Sequence, residues 1–200
     1  MSLRQYGEER LAASSNAKFK TTVVDMLNYG AEAQEYFAYN TGSLANRNIG
    51  KYQNLATETV VLDKEREIIS DPNNHFFGSS VVFESDISIQ FAVLNESTAV
   101  SAQITFVNHS GDEVIKVDDS AEAATATAKK FVFTGLVVAD IDQVVTVQFF
   151  DAEGNEVLSL TDSLDAYLGR VKETSSMYGL ATAFGKFSTS AYAYLHRNDK

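Results

Sequence analysis

Hydrophobic positions recur with two different periods along this chain of 200 residues. In the N-terminal part, Val23, Leu27, Gly30, Ala33 and Phe37 follow one another at steps of three and four residues. That spacing is typical of an amphipathic α-helix with one buried stripe. A shorter helical stretch, RQYGEERLAA, precedes it, and the Ser and Asn residues of SSNAKF end one helix and cap the next. Residues 1–40 are therefore predicted to form a helical hairpin.

The C-terminal segment, residues 162–200, has the same organisation. DSLDAYLGRVKE predicts a first helix, TSS a break and cap, and the second helix carries apolar residues at steps of three and four. Parts of the two segments also align residue by residue, so that Tyr29 is aligned with Phe187 and Tyr36 with Tyr194. We interpret residues 162–200 as a repeat of residues 1–40. On this interpretation the first hairpin is the tail of a preceding repeat unit.

Between the hairpins the hydrophobic period changes to two. Ile87, Ile89, Phe91 and Val93 alternate with smaller or polar residues, and the stretches 102–106, 131–133 and 145–149 alternate in the same way. Alternation is typical of strands with one buried face. The turn signals NHSGDE and DAEGNE lie between such stretches.

We therefore predict six or seven strands in an antiparallel immunoglobulin-like β-sandwich over residues 57–161. Residues 118–130, rich in Ala and Thr, are expected to be a loop or an irregular edge strand. Residues 41–56 are expected to link the first hairpin to the sandwich. The predicted fold class is α+β, a central sandwich with a helical hairpin on each side in the sequence.

Composition excludes several classes of function. The net charge of −11 disfavours binding to nucleic acid or to anionic membranes, and no apolar run is long enough to insert in a bilayer. The absence of cysteine excludes disulfides and thiolate chemistry. The hydrophobic fraction of 44% is that of a globular protein.

The sequence resembles one family of modules. DMLNYGAEAQEYF is the most specific stretch, and GLVVADIDQVVTVQFFDAEGNEV, DSLDAYLGR and AYLHRND add to it. These stretches are similar to an uncharacterised module of large secreted or cell-surface proteins of gut Firmicutes. The resemblance implies a location outside the cell, at the cell surface or wall, and a role without catalysis. It brings no catalytic residues to this chain.

The search for catalytic or metal-binding patterns gives few candidates. His75, His109 and His196 are far apart in the sequence, which disfavours a zinc site. Ser15 and Lys18 have the Ser-x-x-Lys spacing of penicillin-recognising enzymes, but the partner motifs are missing and a helix cap explains these residues better. DAEGNE is best explained as a hairpin turn. A surface calcium held by Asp151, Glu153 and Asn155 is the alternative.

Aromatic residues are the remaining candidates for ligand binding. Tyr36, Tyr39 and Tyr192 are predicted to lie where they could stack on a sugar, whereas most aromatic residues of both hairpins follow the stripe that must be buried. We expect a non-catalytic spacer or adhesion module of an extracellular bacterial surface protein, with neighbouring repeat units as partners. The alternative is a module that binds a glycan or a host protein through an exposed aromatic or polar concavity on the sandwich. An enzyme, which would need a cleft with converging carboxylates of raised pKa, is the least favoured expectation. No cofactor other than calcium is expected.

Overall fold

The computed structural model describes residues 2–63, 65–83, 87–196 and 198. The chain forms two compact units. The helical unit comprises Met1–Leu62 and Leu168–Lys200, and the sheet unit comprises Asp63–Tyr167. Helices and antiparallel sheets occur together, so the predicted α+β class is confirmed.

The sheet unit contains nine strands among the described residues, not the six or seven predicted. They are β1 (Glu67–Ser70), β2 (Phe76–Phe83), β3 (Ile87–Leu94), β4 (Ser101–Val107), β5 (Glu113–Asp118), β6 (Glu122–Ala123), β7 (Ala128–Leu136), β8 (Val145–Phe150) and β9 (Glu156–Asp162). The segment expected to be a loop or an irregular edge strand contains β6, a strand of two residues that pairs with β7 at the edge of its sheet.

The strands form two antiparallel sheets with the order of an immunoglobulin-like fold. One sheet runs β2-β3-β7-β6 and the other β1-β9-β8-β4-β5. In immunoglobulin lettering the first is A-B-E-D, and β9-β8-β4-β5 is G-F-C-C′. The inward positions of both sheets share one core. Its largest fully buried members include Phe91, Phe131, Phe133 and Phe149, and the rings of Phe131 and Phe149 meet edge to face with centroids 5.5 Å apart.

The predicted turns form where the sequence places their glycines. Gly111 in NHSGDE and Gly154 in DAEGNE both have positive φ, at 87° and 82°. This conformation costs glycine little because it has no Cβ. The two turns connect β4 to β5 and β8 to β9.

The first helical hairpin is present in the helical unit. It consists of α1 (Leu3–Ala13) and α2 (Ala17–Tyr36). As the sequence predicted, the break is a capping segment, in which the Asn16 side chain accepts a hydrogen bond from the Phe19 backbone N–H at 2.9 Å. The helices are antiparallel and close, since a Cβ at Gly7 would lie 2.6 Å from Leu27 Cδ1.

The C-terminal helices are α3 (Leu164–Gly169) and α4 (Tyr178–Leu195). In the helical unit α4 packs antiparallel on α2. The ring centroid of Tyr29 lies 5.2 Å from that of Phe184 and 6.0 Å from that of Phe187. At the other end of the helix pair, the ring centroids of Phe19 and Tyr194 are 5.3 Å apart. The apolar stripes of the two long helices therefore cover each other.

Two details differ from the predicted helices. The first C-terminal helix was predicted over residues 162–173, but α3 ends at Gly169. Phe37 was placed in the buried stripe, yet it is 54% exposed because α2 ends at Tyr36 and Phe37 is its C-cap. Whether residues 162–200 repeat residues 1–40 stays a prediction.

The segment over residues 41–56, predicted as a linker, forms short 3₁₀ turns at Thr41–Ser43 and Gly50–Leu55. It is part of the core of the helical unit. Ala45 and Ile49 are buried in one cluster with Leu11, Val24 and Leu27. The Gln34 side chain fixes the start of the segment by accepting from the Ala45 N–H at 2.7 Å.

Candidate ligand-binding cleft

The helical unit contains a cleft of about 450 Å³ between α2, α4 and the segment 41–56. We call it the polar cleft. Helix α2 contributes Asp25, Asn28 and Glu32, the segment 41–56 contributes Asn46 and Gln53, and α4 contributes Tyr178, Thr182 and Lys186. The three side chains from α2 lie on one face because they are three, four and seven residues apart.

Asp25 forms the inner wall of the polar cleft and is almost completely buried. One carboxylate oxygen accepts from the Thr57 N–H at 3.1 Å and the other from the Thr57 hydroxyl at 2.7 Å. Burial raises the pKa of Asp25, while hydrogen bonds from Thr57 and Ser190 and the charge of Lys186 act in the opposite direction. Asp25 therefore holds the chain at Thr57 against α2, and both of its carboxylate oxygens already accept a hydrogen bond.

Three amide side chains form a network at the floor. Asn28 and Gln53 exchange two hydrogen bonds, of 3.1 and 2.9 Å, and the Asn46 amide donates to Asn28 Oδ1 at 3.0 Å. Each amide has two donors and one acceptor oxygen with two lone pairs. Since Asn28 Oδ1 already accepts twice, the acceptor capacity that remains lies on Asn46 and Gln53.

Glu32 lies against the first turn of α4. A Cβ added at Gly179 would overlap the Glu32 carboxylate, so the glycine makes room for it. Desolvation by burial raises the pKa of Glu32, and the charge of Glu35 raises it further. Asp25 and Glu32 are thus two carboxyl groups of raised pKa in one cleft, separated by seven residues, or about 10 Å, along α2.

The candidate calcium residues lie in the β8–β9 turn. One oxygen of Asp151 accepts from the backbone N–H groups of Glu153 at 3.1 Å and Asn155 at 2.8 Å, and Asn155 Nδ2 donates to the other at 3.1 Å. These bonds, led by that from the Asn155 N–H, lower the pKa of Asp151. The preferred interpretation of DAEGNE as a hairpin turn agrees with this geometry, and calcium binding stays a prediction.

The candidate sugar-stacking tyrosines are not gathered in one place. Tyr36 lies at the C-terminal end of α2 with its ring edge on Phe37. Tyr192 lies on α4, stacked on His196 at 4.1 Å, close to Tyr194, which contacts Phe19 near the start of α2. Residues 19 and 36 are about 25 Å apart along a helix. Tyr36 and Tyr192 therefore cannot contact one sugar ring together.

Tyr39 is 72% exposed and lies beside a second, smaller cavity of about 350 Å³. Arg4 and Gln34 line the same cavity. Both are engaged in holding the loop after α2, because Arg4 donates to the Ser43 hydroxyl at 2.8 Å and Gln34 to the Ser43 carbonyl at 3.2 Å. We therefore regard this cavity as structural.

Two other aspartates of the sheet unit hold backbone groups of neighbouring segments. Asp118 accepts from the Val132 N–H at 2.6 Å, and Asp140 accepts from the backbone N–H and pairs with the ring nitrogen of His109, both at 2.7 Å. Among the described residues, no group of three or more His, Asp or Glu side chains lies close enough together to hold a metal ion.

Sequence reasoning did not identify the polar cleft. The residues from α4 lie more than 100 positions from those of α2 and the segment 41–56, and each one alone is an ordinary polar residue of a helix or loop. The only available signal was the position of Asp25, Asn28 and Glu32 on one face of α2, which is also what a solvated helix face looks like.

The comparisons with known proteins add no relative. No family model, no curated protein and no solved structure matches this chain. Within the part of the chain that the structure describes, no helix has the length and apolarity needed to cross a membrane.

Proposed function

We propose that this chain is a non-catalytic structural module, a spacer or adhesion element of an extracellular bacterial surface protein. The observation that carries the proposal is the packing of α2 on α4. Helix α2, which precedes the sandwich in the sequence, covers the apolar stripe of α4, which follows the sandwich. This is the contact that an array of sandwich and hairpin units needs if each unit is to be held by its neighbour. The extracellular location comes from the family resemblance alone.

Buried polar groups support the same proposal. Asp25 holds Thr57, and in the sheet unit the buried Asp162 accepts from Arg66 Nε at 2.8 Å. These groups bind backbone or one another, which favours a structural role for them.

The experiment is small-angle X-ray scattering on fusions of one, two and three copies of the chain. The control fusions have a flexible Gly/Ser linker between copies. A spacer gives a constant increase of the maximum dimension per copy and a narrower distance distribution than the control. Fusions that scatter like the flexibly linked controls would contradict the proposal.

A second function, binding of a glycan or a host protein, is favoured by one observation. The concavity that this alternative requires exists, as the polar cleft, although it was expected on the sandwich and lies in the helical unit.

Catalysis stays the least favoured function. The carboxyl groups of raised pKa that it requires are present as Asp25 and Glu32, but Asp25 is bonded to Thr57 through both oxygens. An acid or base must reach the reacting proton. Release of nitrophenol from a panel of nitrophenyl glycosides by the protein, lost in Glu32→Gln, would overturn the non-catalytic proposal.

A further inference from the structure

We propose that the polar cleft is a binding site for a neutral saccharide unit. The inference deepens the glycan-binding alternative, and it is independent of the spacer role. It rests on the shape of the cleft, on hydrogen-bonding groups that the protein leaves unused, and on the balance of charge.

The shape is that of a small-molecule site. Ligand pockets typically enclose about 300–1,000 Å³, and the polar cleft, at about 450 Å³, lies in this range. Its walls are fixed by packing on two sides. Tyr29 on α2 contacts Phe184 and Phe187 on α4, and Ile49 anchors the segment 41–56 in the core. A ligand would therefore meet a largely preformed site.

The unused groups line the cleft on both sides. Within the described part of the chain, the side chains of Glu32, Tyr178 and Thr182 make no hydrogen bond to another residue, and Asn46 uses only its amide nitrogen. These groups offer carboxylate and amide oxygens as acceptors and hydroxyl groups as donors or acceptors. Sugar hydroxyls, which donate and accept at neighbouring positions, match such a mixture.

The polar cleft carries charges of both signs, from Asp25, Glu32 and Lys186. An anion would meet the carboxylates of Asp25 and Glu32. A cation would meet the ammonium group of Lys186, which is held in place by a 3.0 Å bond from Nζ to the Glu58 carbonyl. A hydroxyl group avoids both repulsions and still donates a charge-assisted hydrogen bond to Glu32.

An aromatic ring is available beside these polar groups. Tyr178, the first residue of α4, lines the cleft and is 39% exposed. Sugars have apolar C–H faces, and an exposed ring beside polar groups can cover such a face. Tyr178 lines the polar cleft, whereas Tyr36, Tyr39 and Tyr192 do not, so Tyr178 is the ring that would stack on the sugar.

The test is a nuclear magnetic resonance titration of the folded, full chain labelled with ¹⁵N. The probes are glucose, galactose, mannose, N-acetylglucosamine, lactose and cellobiose, each at millimolar concentration, with methylammonium and acetate as charged probes. The side-chain NH₂ signals of Asn28, Asn46 and Gln53 report directly on the floor of the cleft. We expect at least one sugar to shift these signals in a saturable way.

Matched variants test whether the sugar binds in the polar cleft or elsewhere on the surface. Glu32→Gln removes the charged acceptor and is expected to weaken binding about tenfold. Thr182→Val removes one hydroxyl at constant shape and is expected to weaken it about fivefold. Glu9→Gln makes the same chemical change on α1, where Glu9 does not line the cleft, and is expected to leave the affinity unchanged. The amide spectrum of each variant shows that it is folded.

Three results would overturn the proposal. They are the absence of shifts with all six sugars, shifts with methylammonium or acetate alone, and equal affinity of the parent chain, Glu32→Gln and Thr182→Val. None of them affects the scattering test of the spacer role, so the two proposals can fail separately.

Discussion

The contact between Gly7 and Leu27 allows a prediction in which two effects of opposite sign compete. Replacing Gly7 by Ala in the middle of α1 should raise helix propensity by about 1 kcal/mol. The added Cβ would, however, lie 2.6 Å from Cδ1, 2.9 Å from Cδ2 and 3.0 Å from Cγ of Leu27. Carbon atoms prefer separations of about 3.5–4.0 Å.

Leu27 cannot easily move aside. It is completely buried, in a cluster with Leu11, Val23, Val24, Ala45 and Ile49. Overpacking of this kind typically costs about 1–3 kcal/mol. We therefore expect Gly7→Ala to lower the free energy of unfolding by about 1 kcal/mol net, with the clash outweighing the propensity gain.

A double-mutant cycle identifies the cause. In a Leu27→Ala background, which by itself costs about 2–5 kcal/mol, the clash is removed, so Gly7→Ala should become stabilising by about 1 kcal/mol. The coupling energy is then about 2 kcal/mol. Gly50→Ala is the control, since a Cβ at Gly50 meets no atom within 4 Å.

The assay is urea denaturation followed by far-ultraviolet circular dichroism. Stabilisation by Gly7→Ala in the parent chain, or the same effect in both backgrounds, would refute the reasoning about the α1–α2 contact.

Three further predictions concern other parts of the molecule. The pKa of Asp25 is raised above 3.8, so between pH 3.8 and the raised pKa the folded state binds more protons than the unfolded state. The stability contributed by Asp25 therefore falls as pH rises through that window. Asp25→Asn should accordingly gain in melting temperature relative to the parent as pH rises from 3.8 to the raised pKa. Asp151→Asn is the control of opposite sign. The pKa of Asp151 is lowered from 3.8, so the parent should gain in melting temperature relative to this variant as pH rises from the lowered pKa to 3.8, below the window in which Asp25 acts. Equal pH profiles for both variants would contradict the assignment. Arg66→Met removes the guanidinium that pairs with the buried carboxylate of Asp162 at 2.8 Å and should cost about 3 kcal/mol in urea denaturation. An unchanged midpoint would show that this pair does not stabilise the sheet unit. Ala38 follows the end of α2 with a φ of 51°, a left-handed conformation that costs an L-residue about 1 kcal/mol or more. Ala38→Gly should therefore raise the melting temperature. A lower melting temperature would show that the flexibility of glycine in the unfolded chain dominates.

Much of the fold was predictable because periodic segments are long. The stripe of α4 and the alternation in β3, β4 and β8 determine which faces are buried, and Gly111 and Gly154 locate two turns. Other elements gave no periodic signal. β6 has two residues, and β2 contains a register shift between Phe76 and Gly78, which interrupts its alternation.

The burial of the segment 41–56 was not predictable for a related reason. Ala45 and Ile49 are isolated apolar residues among Asn, Gly and Arg, and only the surface of α2 makes them part of a core. The polar cleft could not be predicted from the sequence either. Glu32 and Thr182 are 150 positions apart, and they line one cleft only because α2 packs on α4. Asp151 and its neighbours, in contrast, form a local turn, and a local pattern was enough to predict it.

The order of the elements along the chain has a mechanical consequence. The chain leaves the helical unit after Leu62 and returns to it at Leu168, so the sheet unit is an insertion between two halves of one helical unit. Tension applied between α1 and the end of α4 acts first on the packing of α2 against α4. While those helices stay together, the strands carry none of that load. The aromatic contacts of Tyr29 and Phe19 would then set the force at which the module begins to extend, and the sandwich would be the part that is stretched last.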